Sequence, residues 1–378
     1  MDIAVILVTG FVIGFFISSM SLPVILRIAK EKNLYDIPDK RKVHENGIPR
    51  LGGLIFIPSL IFTLSLLIGI NYFYLNHFQR DPDAMIFGIT WRVSFVLCAL
   101  LLMYSTGVAD DLVGISYRAK FLTQFMSALL LCFGDIYFKQ LFGFAGVTDL
   151  PEVIGIPLSV IVVIYIINAI NLVDGVDGLS SIVTGTALVF YGIYFYISGE
   201  NVLTLEAIVL TGTLIPFYVH NVFGNVSKTQ KIFMGDTGSL TIGLLLSVFS
   251  MHICSTTSQT TVLGYNPLVA GFVPLLLPCL DVLRVFGVRI FRGKNPFLGD
   301  RNHFHHKLLS VGLSKFGVSI VFVIYTLAVG GGTLLLSKYL NVTWLVIGNL
   351  VVYFVVIALL NRRISRMAQP VMNQKAVL

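Results

Sequence analysis

The acidic residues of this chain occur in short runs at the ends of long apolar segments, where they could bind a cation. Asp110 and Asp111 are adjacent, whereas Asn171, Asp174 and Asp177 recur every three residues. A carboxylate at the end of an apolar helix is costly without a partner, and adjacent carboxylates oppose each other's ionisation unless a cation intervenes. Carboxylate oxygens are also typical ligands of Mg²⁺. The pattern predicts a divalent-cation site; solvated helix ends and a turn cluster are the alternatives.

A third acidic motif combines a carboxylate with a glycine-containing turn. Asp236 lies in the run Gly235-Asp-Thr-Gly-Ser239, which precedes another apolar segment. A turn of this kind at the start of a helix offers backbone N–H groups and hydroxyls to a phosphate, and its carboxylate can hold Mg²⁺. The alternative is an ordinary Asp N-cap. The motif predicts either a phosphate and metal site or simple helix capping.

A basic segment, residues 284–315, contains Arg301, His303, His305 and His306. Three histidines without a cysteine, beside an arginine, make a poor zinc site. The same donors suit a diphosphate. The alternative is a solvated basic loop that serves only membrane topology.

The segments between these motifs are predicted to be membrane-spanning helices, which would hold the motifs in place. The chain has 378 residues, of which 56% are hydrophobic and 12% charged, and ordinary soluble domains carry about 25% charged residues. This composition excludes a soluble globular protein, and only helices satisfy their backbone within lipid unless a barrel closes. We therefore predict an all-α polytopic membrane protein with about eleven spans. The predicted spans are 3–26, 52–75, 91–108, 119–138, 153–168, 179–197, 202–219, 239–254, 267–286, 318–336 and 342–360.

The distribution of basic residues predicts the orientation of these spans. With the N-terminus outside and the C-terminus in the cytoplasm, 22 of the 26 Lys and Arg residues fall on the inner side, as the positive-inside rule requires. All the motifs above then share the cytoplasmic face. We predict one membrane domain, 1–360, followed by a short cytoplasmic tail, 361–378. The net charge of +7 reflects topology, so we predict no nucleic-acid partner; the four dispersed cysteines predict neither a disulfide framework nor a thiolate metal site.

Five motifs in order carry a resemblance to a known family. They are Asp36-x-Pro38-Asp39-x-Arg41-Lys42-x-His44 with Pro49-Arg50-x-Gly52-Gly53; Asp110-Asp111; Asn171-x-x-Asp174-Gly-x-Asp177-Gly; Phe233-Met-Gly-Asp-Thr-Gly-Ser; and Pro278-x-x-Asp281 leading to His303-x-His305-His306. The chain resembles the polyprenyl-phosphate N-acetylhexosamine-1-phosphate transferase superfamily on its WecA/TagO-like side. The Pro-Arg-Leu-Gly-Gly run is similar to the branch that uses UDP-N-acetylhexosamines rather than UDP-MurNAc-pentapeptide.

The resemblance implies an enzyme of the bacterial cytoplasmic (inner) membrane. It implies Mg²⁺-dependent transfer of N-acetylhexosamine-1-phosphate, with GlcNAc-1-phosphate the first choice, from a UDP-sugar to undecaprenyl phosphate, with release of UMP. This reaction would begin a cell-envelope glycan such as O-antigen or a teichoic acid linkage. Mn²⁺ is the alternative metal, and a homodimer is left open.

The resemblance also implies roles for individual residues. Asp236 and Asp111 would bind the metal, and Asp110 would act as base or anchor for the lipid phosphate. The other implied substrate-binding residues are Lys42, His44, Asn171, Asp174, Asp177, Phe233, Arg301, His303, His305 and His306. Two further classes stay open, a transporter that uses the carboxylates as an ion path and a lipid-binding scaffold.

Overall fold

The computed structural model describes residues 2–35, 47–74, 91–255, 262–293 and 302–375, and these residues are almost entirely helical. The helices are α1 (Ile3–Glu31), α2 (Phe56–Tyr74), α3 (Trp91–Val113), α4 (Tyr117–Phe133), α5 (Glu152–Val173), α6 (Leu179–Ile197), α7 (Asn201–Phe223), α8 (Gly235–Ser255), α9 (Pro267–Phe272), α10 (Leu276–Phe291), α11 (Phe304–Ser310), α12 (Lys315–Tyr325), α13 (Gly331–Leu336) and α14 (Val342–Lys375).

Ten helical segments in the described ranges are long and apolar enough to cross a membrane. Each of these ten segments matches a predicted span, and eight of them are uninterrupted helices. One of the eight, α2, follows directly on a 3₁₀ turn at Gly52–Ile55. The remaining prediction, 119–138, corresponds to α4, whose 17 residues fall short of the about 20 that a hydrocarbon core requires. The polytopic helical architecture is thus confirmed.

Two of the ten segments are interrupted by irregular turns. The 3₁₀ turn Val273–Leu275 separates α9 from α10, and Pro274 lies within it, where proline removes a backbone donor. A π-helical turn, Thr326–Gly330, separates α12 from α13. The last helix, α14, continues beyond the predicted span through residues 361–375.

A small hairpin is the exception to the helical pattern in the described chain. Strands β1 (Gln140–Phe144) and β2 (Val147–Asp149) pair antiparallel, with Gln140 opposite Asp149. Ala145 and Gly146 between them adopt positive φ values of 51° and 79°, which suits a tight hairpin connection. The hairpin lies between α4 and α5.

Helix α8 lies at the centre of the bundle and is buried along nearly its whole length. It packs against α3 and α5 at close range because glycines line the contacts. A Cβ atom on Gly107 of α3 would lie 2.4 Å from the Thr237 Cα atom, and one on Gly243 would lie 2.9 Å from the Ile167 Cα atom. This packing brings the C-terminal ends of α3 and α5 to the N-terminal end of α8, so the acidic motifs meet at one end of the bundle.

Candidate active site

Three carboxylates from two helices form the centre of the site. Asp110 and Asp111 end α3, Asp236 begins α8, and one oxygen from each lies within 4.8 Å of the others. All three side chains are half-buried. The sequence motifs that were predicted to share a cation site therefore do converge in space.

Asp111 caps helix α8 from a neighbouring helix. Its carboxylate accepts hydrogen bonds from the backbone N–H of Asp236 and of Thr237, both at 2.8 Å, and from the Thr237 hydroxyl at 2.6 Å. A helix N-terminus favours a negative charge because its first N–H groups have no partner within the helix. Two of the N–H groups that the turn could offer to a phosphate are therefore occupied by the Asp111 carboxylate.

Gly235 allows this capping contact at the start of α8. Its φ is +73°, a left-handed value that favours glycine. A Cβ atom there would lie 2.1 Å from the Arg50 carbonyl oxygen and 2.6 Å from Asp111 Oδ2. The glycine is thus required by both backbone conformation and space.

Lys120 is the main site residue that the sequence analysis missed. Its Nζ atom lies 2.5 Å from Asp110 Oδ2 and 2.7 Å from Asp236 Oδ2, and so joins the two carboxylates. Lys120 stands in the first turn of α4, and a lysine at the start of an apolar run needs an acidic partner. That position was the signal that could have identified it.

Asn171 fixes the other side of Asp236. Its amide donates to Asp236 Oδ1 at 2.6 Å and to the Ser239 hydroxyl at 2.8 Å. One turn earlier on α5, the Asn168 amide donates to Gln124 Oε1 at 2.8 Å. Two amides three residues apart on α5 therefore bind neighbouring helices, and Asn171 orients the central carboxylate.

Asp174 follows the end of α5 and lies close to the carboxylate centre. Burial is the main cause that raises its pKa to about 7; the charges of Asp236 and Asp111 add to this, whereas the Ser180 hydrogen bond and Arg50 oppose it. The Ser180 hydroxyl donates to Asp174 at 2.6 Å. Asp174 thus titrates near neutral pH in this structure.

Asp177 is held by two cations rather than directed at the centre. Lys231 Nζ lies 2.6 Å and Lys315 Nζ 2.8 Å from Asp177 Oδ2. Burial works to raise the pKa of Asp177, but the two lysines outweigh it and lower that pKa overall. Asp177 therefore ties the turn after α5 to the segment before α8 and to the start of α12.

The Pro49–Gly53 segment lies directly on the segment that enters α8. Gly52 N–H donates to the Phe233 carbonyl at 2.9 Å, Gly53 N–H donates to the Met234 carbonyl at 2.8 Å, and Phe233 N–H donates to the Pro49 carbonyl at 2.8 Å. Phe233 is half-buried in this pairing. Two motifs that are far apart in sequence therefore form one structural unit beside Asp236.

The histidine motif is anchored by a buried charged network. Asp281 of α10 pairs with His303 Nδ1 at 2.9 Å and with an Arg284 guanidinium nitrogen at 2.9 Å, and it accepts the Phe304 N–H at 3.0 Å. Tyr353 of α14 donates its hydroxyl to Asp281 at 2.8 Å and accepts from Arg284 Nε at 3.0 Å. Sequence reasoning had no signal for Tyr353, which lies 72 residues from Asp281.

The other two histidines extend from this anchor toward the turn after α5. The rings of His303 and His305 are stacked with centroids 5.7 Å apart, and those of His305 and His306 lie 4.2 Å apart. A Cβ atom on Gly175 would lie 3.6 Å from His305 Nε2, so this ring adjoins the Asp174–Gly178 turn. Burial, reinforced by the neighbouring histidines, lowers the pKa of His305 to about 3, and its ring is neutral at neutral pH.

Most of the predicted site residues thus meet at one end of the bundle. Lys42, His44 and Arg301 lie outside the described residues. The centre fits a divalent cation by its chemistry, because its donors are hard carboxylate oxygens and because an ammonium group already lies between two of them. The described part of the chain offers no other group of three or more His, Cys, Asp or Glu side chains with this geometry.

Comparison with known proteins gives one consistent result. The glycosyl transferase family 4 model matches residues 93–254, which contain the whole carboxylate centre. The undecaprenyl-phosphate alpha-N-acetylglucosaminyl 1-phosphate transferase of Haemophilus influenzae is 30% identical over 300 residues, which is 78% of this chain and 77% of that protein. The enzyme of the same name from Yersinia pestis is 26% identical over 318 residues, 83% of this chain and 79% of its own. That from Escherichia coli K12 is 25% identical over 306 residues, 80% of this chain and 75% of its own. These names favour the transferase interpretation over the transporter and scaffold alternatives.

Proposed function

Because this chain belongs to glycosyl transferase family 4 and is a multi-pass membrane phosphoglycosyltransferase, we propose that it transfers N-acetylhexosamine-1-phosphate from a UDP-sugar to undecaprenyl phosphate. We propose GlcNAc-1-phosphate as the transferred group, because the relatives are named as N-acetylglucosaminyl 1-phosphate transferases. One observation carries the proposal: Asp110, Asp111 and Asp236 converge at one end of an apolar bundle, where the Lys120 ammonium pairs with Asp110 and Asp236.

The reaction exchanges one phosphoanhydride bond for another. An oxygen of the lipid phosphate attacks the donor phosphorus that bears the sugar, and the bond from that phosphorus to the bridging oxygen breaks. The bridging oxygen and its electron pair leave with UMP. Two anions must approach each other for this attack, so the main requirements are charge neutralisation and in-line positioning.

Lys120 and Asp110 supply part of this arrangement. The Lys120 ammonium pairs with two half-buried carboxylates. It can therefore also form ion pairs with phosphate oxygens. Asp110 also accepts the Ile115 N–H at 2.9 Å, which fixes its orientation. A phosphate monoester is already ionised near neutral pH, so Asp110 acts as an anchor for the site rather than as an obligatory base.

Asp236 and Asp111 would hold Mg²⁺, with Asp110 beside them, and Mn²⁺ would fit the same oxygen donors. When bound, the ion would neutralise phosphate charge. Asn171 would keep Asp236 in place, and the α8 N–H groups would keep the Asp111 carboxylate in place.

The histidines and the turn after α5 are our candidates for the donor side. His303 is oriented by Asp281, so its Nε2 atom faces away from that anchor. A neutral His305 ring next to Gly175 can donate or accept a hydrogen bond without adding charge. These residues, with Asp174, would orient the diphosphate and sugar of the donor.

An apolar cavity of about 560 Å³ is our candidate for the isoprenoid chain of the acceptor. It lies between α6, α7 and the interrupted α12–α13 segment, and its lining includes Ser181, Val189, Ile215 and Leu327. Ser181 is next to Ser180, which donates to Asp174. A chain in this cavity would therefore reach from the lipid toward the carboxylate end of the bundle.

The distribution of Lys and Arg supports a cytoplasmic location for that end, in the bacterial inner membrane. The product would then form where nucleotide sugars are made and would feed a cell-envelope glycan.

The test is a reconstituted transferase assay with purified protein, UDP-GlcNAc, undecaprenyl phosphate and Mg²⁺. We expect equal amounts of UMP and of a lipid product whose mass increases by one GlcNAc-1-phosphate. Asp236→Asn should reduce turnover at least about 10³-fold, because it weakens cation binding and the pairing with Lys120. Omitting Mg²⁺ should have a similar effect.

The matched control is Asp149→Asn in the exposed strand β2, which should leave turnover unchanged. UMP release without a lipid product would indicate hydrolysis instead of transfer. Full activity of Asp236→Asn would exclude the carboxylate centre as the catalytic site.

A further inference from the structure

A polar cavity lies between α10 and α14, outside the carboxylate centre. Its volume is about 530 Å³, and four of its lining side chains are basic: Arg284, Arg289, Arg292 and Lys307. The described residues that line it include no carboxylate. Cations that converge on one cavity favour an anionic ligand, and arginines favour a phosphate because of their planar, forked donors.

The rest of the lining is apolar and adjoins the lipid. Val288, Phe354 and Ile357 form one wall, and Phe354 is half exposed on the outer face of α14. On α10, Ile290 and Phe291 are 62% and 93% exposed, although they close an apolar membrane span. Arg292 follows immediately, so the cavity lies at the level where the hydrocarbon ends. A ligand that fits both walls must be amphiphilic.

We propose that this cavity binds the phosphate headgroup of an anionic membrane phospholipid, with an acyl chain along Phe354 and Ile357. Basic pockets between helices at the cytoplasmic side of a membrane are suited to such headgroups. Neither the carboxylate centre nor the apolar cavity between α6 and α7 shares a lining residue with this one. The site is therefore separate from the proposed acceptor site.

The cavity is linked to the histidine motif through its wall. Arg284 lines the cavity and also donates to Asp281 and to the Asn302 carbonyl. His303, the next residue, pairs with Asp281. A bound phospholipid thus stabilises the positions of Arg284 and of the start of α11. Activity at the carboxylate centre then depends on the lipid composition of the membrane. This dependence rests on the proposed function, whereas the lipid binding does not.

The test measures binding without turnover. Purified full-length protein in neutral detergent is titrated with phosphatidylglycerol or with phosphatidylcholine of the same acyl chains, and bound lipid is counted by native mass spectrometry. We expect phosphatidylglycerol to bind at least about tenfold more tightly. The double variant Arg289→Gln/Arg292→Gln should lose that preference, whereas Arg289→Lys/Arg292→Lys should retain part of it.

The matched control is Arg363→Gln/Arg366→Gln, which removes two exposed charges from α14 outside the cavity and should leave the preference intact. Equal binding of the two lipids by the wild type, or an unchanged preference in the Arg289→Gln/Arg292→Gln variant, would overturn the proposal. Displacement of the lipid by millimolar glycerol phosphate would instead assign the cavity to a soluble phosphate, and displacement by UDP would assign it to the donor. If the glutamine variant does not fold, the lysine variant and the competition arms still decide.

Discussion

Replacing Tyr353 by phenylalanine removes one oxygen atom from the buried network behind His303. The Tyr353 side chain is fully buried (0% exposed), and its hydroxyl bonds both Asp281 and Arg284. A hydrogen bond to a charged group contributes about 1.5–3 kcal/mol. With both bonds lost, we expect the free energy of unfolding to fall by about 3–6 kcal/mol.

The same change should affect donor handling more than acceptor handling. Asp281 holds the His303 ring, and a misplacement of about 1 Å can cost about 10²-fold in rate. We therefore expect kcat/KM for the UDP-sugar to fall about 10- to 100-fold, while the KM for undecaprenyl phosphate stays unchanged. Tyr353 acts through His303, so it is a positioning residue.

The assay is UMP release by folded, detergent-purified protein with each substrate varied in turn. Tyr339→Phe is the matched control, because that tyrosine is 83% exposed and should tolerate the change. Wild-type kinetics in a folded Tyr353→Phe variant would refute the reasoning. Equal losses for donor and acceptor would reduce Tyr353 to a purely structural role.

Three further predictions test the other parts of the site. Lys120→Gln should lower kcat about 10²-fold. It should also lower the Mg²⁺ concentration that gives half-maximal turnover, because the ammonium no longer competes for Asp110 and Asp236. Lys32→Gln is the exposed control, and a higher Mg²⁺ requirement in Lys120→Gln would contradict this reasoning. Gly235→Ala should abolish activity through contact with Arg50 and Asp111. Gly264→Ala has a similar φ of +76° but no atom of the described residues within 4 Å, so it should show only the about 1–2 kcal/mol cost of left-handed backbone; equal effects of the two changes in thermal unfolding and turnover would refute the steric argument. The pKa of His305 is lowered to about 3 from an unfolded value of about 6.5, so the unfolded state binds the proton first and stability decreases as the pH drops below about 6.5. Between pH 7 and pH 5 the wild type should lose about 2 kcal/mol relative to His305→Gln; parallel stability curves would show instead that the pKa of His305 is the same in the folded and unfolded states.

The helical membrane architecture could be predicted from the sequence, because an apolar run of span length can satisfy its backbone hydrogen bonds in lipid almost only as a helix. The sequence also predicted that Asp110, Asp111 and Asp236 act together, since each ends or begins an apolar helix. The hairpin β1–β2 was missed because strands of five and three residues carry too little pattern. The interruptions at Val273–Leu275 and Thr326–Gly330 were missed because apolar composition continues through them.

The partners of the acidic residues could not be predicted from local sequence. The bonds from Asp236 and Thr237 to Asp111 cross 125 and 126 positions, and the Lys120–Asp236 pair crosses 116. Such pairs depend on the packing of α3, α4 and α8, which glycine contacts such as Gly107 against Thr237 determine. A motif shows that a carboxylate is present, but only tertiary packing shows whether an N–H group, an ammonium or open space faces it.

The acidic residues at this end of the bundle differ in how firmly they are held. That difference distinguishes residues that maintain the structure of the site from residues that take part in the reaction. Asp111 is fixed by two backbone N–H groups, and Asp281 by the Phe304 N–H together with His303. Backbone groups cannot leave without disturbing a helix, so these two carboxylates keep their partners when substrates bind. Asp110 and Asp236 each have one fixed partner, the Ile115 N–H and the Asn171 amide, but they also share one ammonium on a flexible side chain, which can turn toward incoming phosphates at little cost. The shared pair is therefore where charge can be redistributed during the reaction, and the firmly held acids maintain the geometry around it.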